Sequence, residues 1–295
     1  MPSLLAPAKI NLALHITATR ADGYHEISSL VTFADFGDRI TVTPARNLRL
    51  EVTGRFAHAL GEAKEKNLVW RAATALQDAA GVRKGAAIQL EKSLPIASGI
   101  GGGSSDAATA ALLLNDLWGL GLSKEALAKI LLPLGADIPM CLHRKTALIS
   151  GIGEKISPMP SIPALGVVLV NPGVEVSTSE VFGFYDKERQ IASAEIAVSS
   201  HSGEMLERLA LLRNDLQEPA QRLCPVIGEV LEALLSTSGC LLSRMSGSGA
   251  TCFGLYPDAE AAQKAAGELS RHHGSWWIAA GATENENIPQ SRIHP

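Results

Sequence analysis

The segment Pro95–Ala108 reads PIASGIGGGSSDAA, and the interpretation of the whole chain starts from it. It lies between Ala87–Lys92, which has the pattern of a strand, and Ser105–Trp118, a long apolar stretch that predicts a helix. Four of the five residues from Gly99 to Gly103 are glycine, so the backbone can adopt φ > 0 and approach a ligand closely. Consecutive N–H groups in such a loop, with the N-terminus of the following helix, attract anions. The pattern therefore predicts a phosphate-binding loop.

The predicted nucleotide-binding residues of this loop are Pro95, Ile96, Ala97, Ser98, Gly99, Ile100, Gly101, Gly102, Gly103, Ser104 and Ser105. The two adjacent serines add hydroxyl groups that can donate to phosphate or bind magnesium. The alternatives are a flexible glycine linker or a helix capped by one of the serines. A linker is disfavoured because an apolar helix follows directly. The loop lacks the lysine of GxxxxGK[ST] and the spacing of the dinucleotide motif GxGxxG, so it is neither of the two common nucleotide motifs.

Composition limits the possible classes of function. The chain has 295 residues, of which 46% are hydrophobic and 19% charged, enough for a large core and for two domains. A formal net charge of -4 disfavours a nucleic-acid partner. No apolar run approaches the ~18 residues of a membrane span. Lys9 interrupts the apolar N-terminal region, which we interpret as a strand rather than a secretory signal. The four cysteines have no metal-site spacing, and we expect a cytoplasmic protein.

The pattern of strands and helices predicts an α+β protein in two domains, residues 1–157 and 158–295. Three prolines at 158, 160 and 163 mark the expected boundary. We predict two strands, Ile27–Phe36 and Arg39–Pro44, joined by a turn at Gly37-Asp38. The polar stretch Asp186–Gly203 is expected to be an exposed excursion.

Two short segments place charge among apolar residues. Lys9 and Asn11 fall on the same face of the predicted N-terminal strand. Asp137 stands between apolar neighbours, just before Ile138 and Pro139. A buried lysine and a buried aspartate are tolerated when they are paired. The residues alone leave three readings open, namely a catalytic pair, a structural ion pair, or Asp137 as a helix N-cap.

The chain resembles the GHMP kinases, the superfamily of galacto-, homoserine, mevalonate and phosphomevalonate kinases. The glycine-serine segment matches their P-x-x-x-G-x-G-x-S-S motif, and Ser246–Ala250 resembles their C-terminal glycine motif. The resemblance runs in order from residue 7 to about 254. Its other segments are PAKINL, RADGYH, Asn67-Leu68 and LGADIP, and they are closest to the branch that phosphorylates an alcohol carrying a cytidine diphosphate group.

The resemblance implies a fold and a set of roles. The fold would combine an N-terminal domain like ribosomal protein S5 with a C-terminal ferredoxin-like α/β sandwich, as a monomer or homodimer. The reaction would use ATP and Mg²⁺, and no metal ligand is assigned. Lys9 and Asp137 would be the catalytic pair. The nucleotide site would add Asn67 and Lys92, although Asn67 could equally cap its helix. The substrate would be bound by Asn11, Tyr24, His25 and Phe182.

Other functions stay open at this point. Another kinase of the superfamily would not need to bind a stacked pyrimidine. Such a kinase would therefore be distinguished from one acting on a cytidine diphosphate substrate by Tyr24, His25 and Phe182. A nucleotide-binding regulator without activity would not need Lys9 and Asp137. A nucleotide-dependent oxidoreductase is disfavoured by the glycine spacing.

Overall fold

The computed structural model describes residues 1–61, 63–159, 164–188, 193–196 and 205–284, which form two β-sheets packed against helices. The first sheet is built from residues before 159 and the second from residues after 165. Within these ranges no helix combines the length and the apolar character needed to cross a bilayer. The α+β prediction is therefore confirmed.

The first sheet has six strands and is organised around β2. Its members are β1 (Ser3–Thr19), β2 (His25–Ala45), β3 (Arg49–Thr53), β4 (Gly85–Glu91), β5 (Ala147–Gly151) and β6 (Lys155–Pro158). The order is β3-β4-β2-β5-β6, with β1 on β2. β5 pairs with the first part of β2, up to Val31, and β4 with its last part, from Arg39. The stretch of β2 between Val31 and Arg39 is therefore paired with neither of these strands, and Ala34 within it forms an isolated bridge with Thr283, just after β10.

The turn predicted at Gly37-Asp38 is wrong, because β2 is continuous from His25 to Ala45. Gly37 pairs with Pro7 and Asp38 with Ala6 of β1. A Cβ atom on Gly37 would lie 2.0 Å from the carbonyl oxygen of Ala6. The glycine is required here by close strand contact rather than by a change of chain direction.

Asp38 is fully buried and ties the segment after β4 to β2. Its Oδ1 accepts hydrogen bonds from the backbone N–H groups of Ser93, at 2.6 Å, and Leu94, at 2.8 Å. Its Oδ2 accepts a hydrogen bond from Nζ of Lys92. One carboxylate therefore fixes the start of the glycine-rich loop.

Four helices complete the first half and bury its main core. They are α1 (Leu68–Ala80), α2 (Gly102–Trp118), α3 (Lys124–Leu131) and α4 (Ile138–His143). Asn67 caps α1, since its Oδ1 accepts a hydrogen bond from the N–H of Val69 at 2.9 Å. Ser123 caps α3 in the same way, since its Oγ accepts a hydrogen bond from the N–H of Ala126. Helix α2 is apolar on most sides because it packs against α1, α4 and both long strands.

The second sheet has the order β10-β7-β9-β8 and is antiparallel throughout. Its strands are β7 (Gly166–Asn171), β8 (Leu242–Met245), β9 (Cys252–Tyr256) and β10 (Trp277–Ala282). Its helices are α5 (Thr178–Glu188), α6 (Met205–Leu211), α7 (Gln217–Leu223), α8 (Val226–Ser236) and α9 (Ala259–His272). Along the chain, helices follow β7 and β9, and in the sheet these two strands lie in the centre. This is the topology of a ferredoxin-like sandwich, as expected.

The residues described within the stretch Asp186–Gly203 are only partly exposed. Ser193 and Ile196 are buried against the first sheet. The N–H of Ser193 donates to the carbonyl oxygen of Ile16, and the N–H of Ile196 donates to Oγ of Ser28. These hydrogen bonds hold the segment against the first sheet, although its polar composition predicts an exposed position. Most of this stretch, with Pro160 and Pro163, lies outside the described residues, and the domain boundary at 157/158 stays a prediction.

We predict that Asp38→Ala lowers the free energy of unfolding by about 3–5 kcal/mol, because it leaves the buried Lys92 short of one counter-charge and two backbone N–H groups unpaired. Urea unfolding followed by circular dichroism measures the change. Glu260→Gln is the matched control: it also breaks a lysine–carboxylate pair, the 2.8 Å pair with Lys264, but on the exposed face of α9. Water screens that pair, so its loss should leave the curve nearly unchanged. Equal effects of the two substitutions would contradict the role given to Asp38.

Candidate active site

A cleft of about 1450 Å³ runs between the two halves and contains nearly all of the predicted site residues. β1, the glycine-rich loop and the start of α4 line it from the first half. The second half contributes α5 and the turn Ser246–Gly249. Two predicted residues do not line it. Ile100 is fully buried in an apolar cluster, and the buried Oγ of Ser105 has no hydrogen-bond partner among the described residues.

The glycine-rich loop is held to β1 by a backbone hydrogen bond. The N–H of Lys9 donates to the carbonyl oxygen of Ile100 at 2.9 Å. Gly99 and Gly101 have φ angles of 74° and 61°, a region that glycine enters without strain. Helix α2 begins at Gly102, so its first N–H groups face the loop. This is the arrangement that binds phosphate at a helix N-terminus.

The second glycine loop, Ser246–Ala250, packs against the first and is hydrogen-bonded to it. Oγ of Ser246 donates to the carbonyl oxygen of Gly99 at 3.0 Å and accepts from the N–H of Asn11 at 3.1 Å. The N–H of Thr251 donates to the carbonyl oxygen of Ser98 at 3.2 Å. A Cβ atom on Gly99 would lie 2.4 Å from the carbonyl oxygen of Ser246. At Gly99 the backbones of the two loops are therefore in direct contact, with no room for a side chain on this residue.

Lys9 and Asp137 form an ion pair, with 2.7 Å between Nζ and Oδ1. The Lys9 side chain is only 5% exposed, whereas that of Asp137 is 39% exposed and lines the cleft. Asp137 precedes α4, but its side chain makes no capping hydrogen bond. The structure therefore does not support the interpretation of Asp137 as a helix N-cap. A Cβ atom on Gly101 would lie 3.1 Å from Cε of Lys9, so the lysine stem packs directly against the phosphate loop.

Asn11 lies two residues along β1 from Lys9 and is buried. Its Nδ2 donates to Oγ of Ser29 at 2.8 Å, and that hydroxyl donates in turn to the carbonyl oxygen of Ala13. This chain of hydrogen bonds fixes the orientation of the amide. The buried Oδ1 of Asn11 has no partner among the described residues, so it is the atom available to a hydroxyl donor.

Lys92 lies beneath the loop between two buried aspartates. Its Nζ donates to Asp38 and, at 2.9 Å, to Oδ2 of Asp106. Burial alone would lower the pKa of Lys92, but the charges of Asp106 and Asp38 outweigh it and raise that pKa. Burial raises the pKa of Asp106 against the opposing charge of Lys92. The sequence reasoning missed Asp38, because the pair Gly37-Asp38 has the composition of a turn.

The opposite end of the cleft carries the aromatic and imidazole groups. The rings of His25 and Phe182 stack with 4.7 Å between centroids and 29° between planes. Nε2 of His25 lies 2.6 Å from Oδ1 of Asp186, a residue that the sequence reasoning did not single out. Tyr24 is 60% exposed at the mouth of the cleft. Phe182 therefore packs on the predicted base-binding histidine as well as against the core of its own half.

Asn67 and Lys92 also line the cleft, as does Asp106. Oδ1 of Asn67 accepts the hydrogen bond of the helix cap, and the same residue also lines the cleft. Within the described ranges, no three histidine, cysteine, aspartate or glutamate side chains cluster closely enough to hold a metal ion by themselves. A cation would need the oxygens of a bound phosphate group to complete its ligand set.

Two family models match the chain. GHMP kinases N terminal domain covers residues 67–145, and GHMP kinases C terminal covers residues 194–275. A solved structure titled 4-(cytidine 5'-diphospho)-2C-methyl-D-erythritol kinase superimposes with a TM-score of 0.80 at 34% identity, over 96% of this chain and 100% of that one. The homoserine kinase of Cytophaga hutchinsonii superimposes at 0.70 with 20% identity, over 96% of this chain and 94% of that one, which shows a common fold.

Curated relatives extend over almost the whole chain. The 4-diphosphocytidyl-2-C-methyl-D-erythritol kinase of Parvibaculum lavamentivorans is 48% identical over 286 residues, 94% of this chain and 96% of the relative. The protein of that name from Paramagnetospirillum magneticum is 47% identical over 277 residues, with the same two shares. The chain therefore belongs to the 4-diphosphocytidyl-2-C-methyl-D-erythritol kinase family of the GHMP kinases.

Proposed function

We propose that the protein transfers the γ-phosphoryl group of ATP to the 2-hydroxyl of 4-diphosphocytidyl-2-C-methyl-D-erythritol. The products are the 2-phosphate and ADP, and the reaction belongs to the non-mevalonate route to isopentenyl diphosphate. The observation that carries the proposal is that one cleft brings together a phosphate loop, the Lys9–Asp137 pair and the His25–Phe182 stack. Phosphoryl transfer depends mainly on positioning and electrostatic stabilisation, which these elements can supply.

Asp137 is the group that receives the hydroxyl of the substrate. Its carboxylate is partly exposed in the cleft, with one oxygen paired to Lys9. The other oxygen can accept the hydrogen bond of the 2-hydroxyl and orient that oxygen toward the γ-phosphorus. As the new P–O bond forms and the bond to the β-phosphate oxygen breaks, the proton of the hydroxyl passes to Asp137.

Lys9 pairs with the carboxylate of Asp137 and adds positive charge where the phosphoryl group passes. It is buried, and its position is fixed by the backbone hydrogen bond of β1 to Ile100 and by contact with Gly101. A charge that is already in place when negative charge develops costs no reorganisation during the reaction. Asn11, with its unpaired Oδ1, can hold the methylerythritol end through a second hydroxyl.

The triphosphate lies against the backbone of Pro95–Ser105 and the first turn of α2, with Asn67 and Lys92 at its edge. Mg²⁺ usually binds one or two carboxylates together with substrate phosphates. Oδ1 of Asp106 is buried without a hydrogen-bond partner and its residue lines the cleft, which fits such a ligand. A magnesium ion held there would neutralise charge on the phosphates.

The cytidine end is bound by His25, Tyr24 and Phe182. The face of Phe182 and the exposed ring of Tyr24 are suited to stacking on a base, and His25 can hydrogen-bond the edge of the base. A kinase acting on homoserine or mevalonate would not need this end of the cleft, and the intact Lys9–Asp137 pair disfavours an inactive regulator. The cytoplasmic location and the monomeric or dimeric state stay predictions.

Asp137→Asn should lower kcat by about 10²–10⁴-fold, because the amide keeps the size of the side chain but neither carries the charge nor accepts the proton. ADP release with ATP, magnesium and the cytidine diphosphate methylerythritol substrate measures the loss. Asp116→Asn, an exposed aspartate near the far end of α2, is the control and should stay at the wild-type rate. Full activity of the Asp137 variant would remove this residue from the mechanism.

Gly99→Ala should impair the enzyme far more than Gly119→Ala. Both glycines have φ near +70°, so both substitutions introduce similar backbone strain. Only at Gly99 does the new methyl group meet backbone, since nothing lies within 4 Å of a Cβ atom at Gly119. We expect the KM for ATP to rise at least tenfold for the first variant and to stay within twofold for the second. Equal losses would mean that the two glycine loops do not need to touch.

Phe182→Ala should raise the KM for the cytidine substrate by roughly 5- to 150-fold, the range expected for losing about 1–3 kcal/mol of base stacking. The KM for ATP should not change. Phe184→Ala removes a similar ring from the same helix at a position that does not line the cleft, and steady-state kinetics should show no rise in KM. Release of ADP with homoserine or mevalonate, but not with the cytidine substrate, would instead favour a different kinase.

A further inference from the structure

Helix α5 holds the imidazole ring of His25 from three sides. Phe182 and Asp186 are four residues apart and so share one face of the helix. Phe182 stacks on the ring, and Asp186 meets Nε2 at 2.6 Å. Tyr185 approaches edge-on at 6.2 Å between centroids. The His25 side chain is 8% exposed, while that of Asp186 is 45% exposed and lines the cleft. A histidine from β2 is thereby oriented by a helix of the other half.

The contact with Asp186 determines where the ring carries a proton. An ionised carboxylate can only accept a hydrogen bond, so Nε2 must be the donor. In the neutral ring, the proton is then on Nε2 and Nδ1 keeps its lone pair. Without Asp186, either nitrogen could carry the proton and the ring could turn about its Cβ–Cγ bond.

We propose that Asp186 is a positioning residue that sets the base specificity of the cleft by fixing the orientation and the Nε2–H tautomer of His25. The proposal rests on the proposed function, since it concerns the cytidine end of the same substrate. Asp186 need not touch the substrate or the reacting atoms for this role.

The chemistry of the two pyrimidines explains how a fixed tautomer selects between them. Cytosine presents a 4-amino group, which donates hydrogen bonds, and uracil presents a carbonyl oxygen at the same position, which only accepts. An Nδ1 atom with a free lone pair accepts from the amino group of cytosine and repels the oxygen of uracil. A site built to satisfy a donor rejects a base that lacks it, because its own polar atom is then left unpaired.

The hydrogen bond between His25 and Asp186 is expected to contribute little to the stability of the fold. The carboxylate is nearly half exposed, and single pairs of this kind add little to stability. Phe182 and Tyr185 would still cover the ring without it. The loss of Asp186 is therefore expected to change ligand recognition rather than folding.

The first test is kinetic. Asp186→Ala should raise the KM for the cytidine substrate by about 3- to 10-fold, the value of one hydrogen bond. kcat and the KM for ATP should remain within twofold of the wild type. Glu229→Gln is the control, because it removes one negative charge from an exposed position on α8 that does not line the cleft, and it should leave all three constants unchanged. Asp186→Glu should restore part of the affinity.

The second test measures selectivity without turnover. Calorimetric titration should show that the wild type binds CDP more tightly than UDP, and that this ratio falls toward one in Asp186→Ala. If Asp186 acts only in local packing, the substitution would weaken the binding of CDP and of UDP by the same factor and leave the ratio of their affinities unchanged. That outcome would overturn the proposal.

The third test reads the tautomer directly. In protein with ¹⁵N-labelled histidine, the ring signals of His25 can be assigned by their loss in His25→Gln. The wild type should show the Nε2–H form, and Asp186→Ala should show a mixture. An Nδ1–H form in the wild type would overturn the proposal even if the enzyme is active. An enzyme that shows the expected tautomer but no turnover of the cytidine substrate would instead count against the proposed function.

Discussion

The phosphate loop depends on a buried lysine whose charge is balanced from two separate elements. Lys92 would be costly in this position without partners, and Asp38 of β2 and Asp106 of α2 supply them. A Cβ atom on Gly102 would lie 3.1 Å from Nζ of Lys92, so the lysine supports the loop from below. A glycine-rich segment loses much conformational entropy on ordering, and this ionic cluster is one of the interactions that offset that loss.

The other restraints on the loop come from residues far apart in the sequence. The N–H of Lys9 and the hydroxyl of Ser246 hold the carbonyl oxygens of Ile100 and Gly99. β1 also receives hydrogen bonds from Arg244, whose guanidinium donates to the carbonyl oxygen of Leu12. The site is therefore complete only when both halves are folded against each other. This explains why the loop, although local in sequence, does not form a working site alone.

Local signals in the sequence predicted the parts of the site that local chemistry produces. The glycine run, the strand with Lys9 and the Asn67 cap each follow from the residues nearby. Asp38 was missed because Gly37-Asp38 has the composition of a turn, and because Lys92, which makes the burial of this carboxylate tolerable, is 54 residues away. The burial of Ser193 and Ile196 was not predicted, because the groups that accept hydrogen bonds from their backbone N–H groups lie in the first sheet, far away in the sequence. The base specificity of the chain was predicted only through resemblance, and Asp186 had no local signal at all.

In the proposed function, the two ends of the cleft recognise their ligands by different means, and this explains why the sequence motifs differ in what they specify. Phosphates are bound largely by backbone N–H groups, so the loop requires glycines but tolerates many acceptor substrates. The same fold, at 20% identity, is found in a homoserine kinase. The base is met by side chains of β2 and α5, whose identities can change without disturbing the sheets. The glycine loop therefore indicates a superfamily, whereas we expect substrate choice to depend on a few residues around His25.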